Sequence, residues 1–160
     1  MPEITAKRNK AGVLIYQLTE QPKNKSKKEL NESIDFYQAF KVKYPHLIGR
    51  LIHVPNEVKG TPRHQLNLNE AGRIKGAPDY ILRLPAHGFN SLEIELKRAR
   101  KIDSSISKEQ VKQLLDSERL GSIACVAYGK DAALKIVDNY LDGTIISVVN
   151  HLKTKKDIIL

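Results

Sequence analysis

Asp79, Glu95 and Lys97 are the residues of this chain whose types and spacing could do chemistry. Two carboxylates and an amine gathered in one cleft can hold a hard divalent cation and position a water. All three lie in one stretch, from Gly76 to Lys97, which opens Gly76-Ala77-Pro78-Asp79 and closes Ser91-Leu92-Glu93-Ile94-Glu95-Leu96-Lys97. In the closing segment Leu92, Ile94 and Leu96 alternate with Glu93, Glu95 and Lys97. A strand has a side-chain period of two, so the apolar set faces one way and the charged set the other. Asp79 to Leu84 predicts a second strand, with Tyr80, Leu82 and Leu84 on one face and Pro78, which has no backbone donor, at its start. Pro85-Ala86-His87-Gly88-Phe89-Asn90 has the composition of a loop joining two antiparallel strands.

The elements that must position these residues follow from periodicity. Glu29 to Tyr44 predicts a helix, with Leu30, Ile34, Tyr37 and Phe40 inward and Pro45 ending it. Glu29 falls at the edge of the apolar face and Glu32 further towards solvent. Leu47 to Val54 predicts a strand, ended by Pro55-Asn56. Glu57 to Lys75 is a polar segment with a short helix expected around Leu66 to Ile74. Ser107 and Gln110 have capping-box spacing at the start of another helix, which Gly121 ends. Ser122 to Tyr128 reads as a buried strand, Asp131 to Leu141 as an amphipathic helix, and Thr144 to Val149 as a last strand. The resulting fold class is α/β, with helices flanking a mixed sheet.

The chain has 160 residues, enough for one domain with a real core, and its hydrophobic fraction is 41%. No apolar run is long enough to span a bilayer and no signal-peptide pattern opens the sequence, so a cytoplasmic protein with no membrane partner is expected. The single cysteine, Cys125, excludes an intramolecular disulfide and an all-cysteine metal site. The formal net charge of +9 favours polyanionic partners, nucleic acid above all. Lys23, Lys25, Lys27 and Lys28 form a cationic run within residues 1–28, expected to be a basic N-terminal arm with one strand possible at Ala11 to Leu18. Lys75, Arg98, Arg100 and Lys101 flank the proposed site and are candidate phosphate contacts. An RNA-binding adaptor is disfavoured, because the chain has no Trp and only three Phe for base stacking.

Asp79 with Glu95-Leu96-Lys97 has the form of the PD-(D/E)xK nuclease signature. With Pro55-Asn56-Glu57, Gly76-Ala77-Pro78-Asp79 and the Ser107 to Gln110 helix start, the chain resembles the VRR-NUC (virus-type replication-repair nuclease) family, in the short stand-alone form seen in phages and bacteria. The similarity covers roughly Glu29 to Leu141, which implies a nuclease-like domain over 29–143, an αβββαβα core similar to that of restriction endonucleases, and a C-terminal extension over 144–160. The resemblance implies a DNA endonuclease dependent on Mg²⁺ or Mn²⁺, with branched DNA as substrate. It implies Asp79 and Glu95 as metal ligands, the Leu96 carbonyl as a third, and Lys97 as the group that orients the attacking water or stabilises phosphate charge. Gln110 matches the family's helix glutamine, and Glu29 or Glu32 its first-helix glutamate. Glu93 is a lesser rival as a ligand. A homodimer is expected, with Ala11 to Leu18 and Thr144 to Val149 as contact strands. The alternative is a nucleic-acid-binding module that keeps the nuclease fold without cutting.

Overall fold

Alternation in β5 (Leu92–Lys97) divides the molecule into two layers. Leu92, Ile94 and Leu96 are buried on one face of the sheet, in the larger core, while Glu93, Glu95 and Lys97 take the other. The computed structural model describes residues 1–56, 59–154 and 157–160. Among them runs a seven-stranded sheet in the order β3-β4-β5-β6-β2-β1-β7, where β1 is Ile4–Arg8, β2 Leu14–Leu18, β3 Leu51–His53, β4 Tyr80–Leu82, β6 Ile123–Tyr128 and β7 Ile158–Ile159. β5, β6 and β2 are parallel neighbours, and the pairs on either side of them are antiparallel. A mixed sheet of this kind needs cover on both faces. The larger core lies under α1 (Glu29–Lys43), α4 (Lys130–Asp142) and α5 (Thr144–Leu152). α3 (Lys108–Arg119) covers the other face, with Leu114 packed on Val13, Ile15, Ala124, Val126 and Tyr128. β6 is buried on both faces, and its Cys125 thiol is fully enclosed, with burial pushing its pKa up.

Four expectations need correction. The N-terminal segment is not a solvated arm over its first part. β1 and β2 form a hairpin inside the sheet, closed by Asn9, whose Oδ1 accepts from the Ala11 and Val13 amides. Ile4, Ala6, Leu14 and Tyr16 join the core. The sequence hides this because Lys7 and Arg8 end β1 within an otherwise basic stretch. Thr144 to Val149 is helical, not a strand. Its β-branched composition favours a strand, but Ile145, Val148 and Leu152 fall on one buried helical face, and packing wins over propensity. Neither segment can then serve as a dimer contact strand, since β2 is paired on both edges. Thirdly, α1 is rotated from its expected facing. Glu32, Phe36 and Phe40 are buried at a spacing of four, while Leu30 is 67% and Ile34 51% exposed. Finally, the helix in the polar segment is α2 (Pro62–Glu70), not Leu66 to Ile74. Thr61 caps it through the His64 amide, and Pro62 fits the first turn. The strands at Leu47 to Val54 and Asp79 to Leu84 are shorter than expected, a 3₁₀ turn at Pro45–Leu47 preceding β3.

Candidate active site

Asp79 enters the site at the start of β4. Its Oδ2 accepts from the Leu96 amide at 2.8 Å, which holds its carboxyl against the β5 backbone. The loop before it is fixed at two points. Asn56 Nδ2 donates to the Ala77 carbonyl at 2.6 Å. Gly76, at φ +81°, lies so close to the start of α3 that a Cβ there would sit 2.5 Å from the Glu109 carbonyl carbon and 2.7 Å from the Gln110 nitrogen. Only glycine satisfies both the conformation and the approach. Glu57, the third residue of the Pro55-Asn56-Glu57 motif, lies outside the described residues, as do Lys155 and Lys156 of the basic tail.

Glu95 and Lys97 are buried, at 3% and 5% exposure. Glu95 Oε1 accepts from Gln110 Nε2 at 2.5 Å and lies 3.1 Å from Lys97 Nζ. Glu95 Oε2 is buried and has no hydrogen-bond partner among the described residues. Lys97 Nζ is also 3.8 Å from Glu29 Oε1, at the N-terminus of α1. Burial pushes the Glu95 carboxyl up to about 8. Asp79 and Glu29 push the same way, and Lys97 opposes them. Leaving a buried carboxylate oxygen unpaired is costly.

Does this set fit a divalent cation? The unsatisfied Glu95 oxygen is what a cation would occupy, and Asp79 and Glu29 supply further negative charge. Among the described residues no group of three or more His, Cys, Asp or Glu forms a metal cage. A magnesium-like ion does not require one, because it is commonly held by one or two carboxylates and keeps several waters. The donor set fits.

The first-helix carboxylates divide in two. Glu29 faces Lys97, whereas the buried Glu32 accepts from the Lys130 amide through Oε2 at 3.1 Å and closes the N-terminus of α4. Glu93 is engaged by the Ser117 hydroxyl at 2.5 Å. Gln110 also completes a capping box. Its Oε1 accepts from the Ser107 amide at 2.8 Å, and Ser107 Oγ accepts from the Gln110 amide at 3.1 Å. A cleft of about 830 Å³ opens over Asp79 and Leu96, lined also by Lys28, Glu29, His53, Asn56, Lys59 and Arg98.

A solved structure described as a VRR_NUC domain protein superposes on this chain with a TM-score of 0.65, covering 74% of this chain and 92% of that one at 20% sequence identity. The fold is VRR-NUC-like. No protein-family model and no curated protein matches the chain. Among the described residues no helix is long and apolar enough to cross a membrane.

Within this nuclease-like fold the basic residues after Lys97 depart from expectation. Arg98 donates from Nε to the Lys27 carbonyl at 2.9 Å and from Nη2 to the Ser26 carbonyl. Arg100 donates to the Lys23 carbonyl at 3.0 Å and pairs with Asp103 at 2.8 Å. Asp103 in turn accepts from the amide and hydroxyl of Ser26. These side chains fasten residues 23–27 rather than project as a phosphate clamp, although Arg98 still lines the cleft. Lys101 sits 6.0 Å from the Tyr128 ring centroid, and Lys75 pairs with Glu109 at 3.2 Å, largely exposed. The cleft cation that sequence reasoning missed is Lys59, while Lys28 ends the cationic run of residues 23–28. Lys59 belongs to no motif, and only the folded chain brings the two to one rim.

Proposed function

We propose that this chain is a divalent-metal-dependent DNA endonuclease that hydrolyses phosphodiester bonds, uses Mg²⁺ or Mn²⁺ and prefers branched DNA. One observation carries the reading: Glu95 holds a buried, unsatisfied carboxylate oxygen in a cluster with Asp79 and Lys97. In this reading Asp79, Glu95 and the Leu96 carbonyl hold the cation. Bound there, the cation offsets the negative charge that builds on the phosphate and favours ionisation of the attacking water. Lys97 donates from Nζ to the phosphate or the water, with Glu29 and Glu95 aiming the ammonium. Gln110 orients Glu95. Lys28, Lys59 and Arg98 rim the cleft with positive charge for the DNA backbone. The formal charge of +9 supports a polyanionic substrate, and the preference for branched DNA rests on the family resemblance. Two copies of the chain would provide one site for each opposing strand of a junction.

The test is incubation of the purified protein with linear, flapped and four-way DNA, with and without Mg²⁺ or Mn²⁺. Metal-dependent cleavage, strongest on branched DNA, is expected. Binding without cleavage under every condition would instead identify a non-cleaving module on a nuclease-like fold.

A further inference from the structure

The rotation of α1 leaves Leu30 and Ile34 exposed beside the cleft, and they do not stand over empty surface. Leu30, Ser33, Ile34, Tyr37, Gln38, Leu51, His53 and Tyr80 line a second cavity of about 400 Å³, within the size range of small-ligand pockets. Leu30, Ser33 and His53 belong to both cavities, so the pocket and the cleft share a wall. That wall is aromatic and braced. The exposed His53 ring lies 5.0 Å from Tyr80, centroid to centroid. Tyr80 is itself set edge-on against Phe36 at 5.1 Å and donates from its hydroxyl to the Ser33 carbonyl at 3.2 Å. Tyr80 directly follows Asp79, so the floor of the pocket is one residue from a proposed metal ligand.

We infer that this pocket receives an unpaired nucleobase of the strand whose phosphate lies in the cleft. The inference rests on the DNA-cleaving reading of that cleft and deepens it, by assigning a substrate feature to residues the chemistry does not use. Three observations select this occupant. The shared wall places the mouth of the pocket beside the cleft that a strand crossing Asp79 would occupy. The cations Lys28, Lys59 and Arg98 rim the cleft side, where phosphates would run, whereas the pocket wall is uncharged carbon and aromatic surface with Ser33, Gln38, His53 and the tyrosine hydroxyls as its polar groups. That division of charge and apolar surface matches a nucleotide, with its anionic backbone and flat base. A base inside a duplex cannot enter, so occupation demands an unstacked nucleotide. A base bound on an aromatic platform gains affinity with little regard to sequence.

The test measures binding in EDTA, where cleavage chemistry does not intervene. Two substrates are compared: a blunt, fully paired duplex, and the same duplex with a single-stranded flap carrying 2-aminopurine beside the junction. Wild type is compared with His53→Ala, Tyr37→Ala and His53→Phe, with melting temperatures as a folding control. Tyr37→Ala should weaken flap binding on the order of tenfold and leave duplex binding within about twofold, and His53→Ala, which borders both cavities, should weaken flap binding more than duplex binding. They should also lose the 2-aminopurine quenching that wild type produces. His53→Phe should restore both, because it keeps the platform. Equal losses on flap and duplex, or quenching that survives both alanine variants, would overturn the pocket assignment while leaving the DNA reading intact. Failure of wild type to bind either DNA would overturn both. A dimer in light scattering that His53→Ala or Leu30→Lys dissociates would show that a second copy covers this face, and would also overturn the assignment.

Discussion

Gln110 joins the cap of its own helix to the buried acid: its Oε1 accepts from the Ser107 amide at 2.8 Å while its Nε2 donates to Glu95 Oε1 at 2.5 Å. Capping and site roles are therefore not alternatives for this residue. Gln110→Glu keeps the capping acceptor but replaces the donor with a second carboxylate facing Glu95. We expect cleavage to fall about ten- to a hundredfold, as for other groups that orient a metal ligand. Serine 107 is untouched, so α3 should remain folded by circular dichroism. Unchanged turnover would reduce Gln110 to a cap.

The raised pKa of Glu95 separates its charge from its shape. Burial raises the Glu95 carboxyl pKa and so lowers the cost of its neutral form in the metal-free protein. Glu95→Gln then replaces an acid with an amide of nearly the same form, and the metal-free melting temperature should change little. Cleavage should be abolished. Wild type should melt at higher temperature with millimolar Mg²⁺ or Mn²⁺, by mass action, and Glu95→Gln should not. Asp79→Ala should also abolish cleavage and cost about 1–3 kcal/mol, because the Leu96 amide loses its acceptor. Lys97→Ala should inactivate with metal stabilisation better preserved. Full activity in purified Asp79→Ala protein would sink the site assignment.

Gly76 offers a test of positioning without touching a functional side chain. Gly76→Ala would combine an unfavourable positive φ with collision against the α3 backbone. Gly72→Ala is the control, since Gly72 also has positive φ, at +97°, but among the described residues nothing lies within 4 Å of where its Cβ would be. The control should cost about 1–2 kcal/mol from backbone strain alone. Gly76→Ala should cost more and also lower cleavage, because it separates Asp79 from Gln110. Equal melting temperatures for the two variants would show that the close approach is unimportant.

The gathering of Asp79, Glu95 and Lys97 was more legible in the sequence than the frame around it. Glu95 and Lys97 announce themselves because period-two alternation sets charge against apolar residues on one strand. β6 and α4 are legible because their burial patterns are strong. The facing of α1 was not, because its buried row includes Glu32, a carboxylate that hydropathy assigns to solvent and that instead closes α4. Glu29 and Glu32 could be told apart only by what each meets across the fold. Helix α5 was obscured by its β-branched run, and β1 by its basic end. The roles of Arg98 and Arg100 were invisible for another reason. A guanidinium beside a site looks the same in sequence whether it holds a phosphate or loop carbonyls.

That loop fastening is sensitive to acid. Arg100, then the amide of Ser26, hold the Asp103 carboxyl well below the usual carboxylate range. Its folded pKa lies below its unfolded value near 4, so the contribution to stability is fully present above that value and declines as pH falls beneath it. Asp103→Asn should lower the melting temperature at pH 6 and differ progressively less from wild type as pH drops from 4 towards 2. Limited proteolysis within residues 19–28 should be faster in the variant at pH 6. A wild-type-to-variant gap that stays constant down to pH 2 would show that the Asp103 charge does not hold the loop.

Assembly is the last prediction. Cleavage of opposing strands of one junction needs two active sites, and each chain carries one candidate site. β2 cannot mediate strand pairing, as both of its edges are used within the chain, and α5 is a helix whose Ile145, Val148 and Leu152 face is buried. The sheet ends at β3 and β7. Pairing through β3 would bring a partner against His53 and crowd the cleft. β7 lies at the opposite end of the sheet, and its Ile159 is 59% exposed. Pairing there leaves both clefts open, and a two-residue strand gains most from being extended by a symmetric partner. We predict a twofold dimer at micromolar concentration in light scattering, converted to monomer by Ile159→Lys. Single-strand nicking of a four-way junction should survive in that variant, while paired cleavage is lost. A wild-type monomer that makes paired cuts unimpaired would show the dimer argument to be wrong.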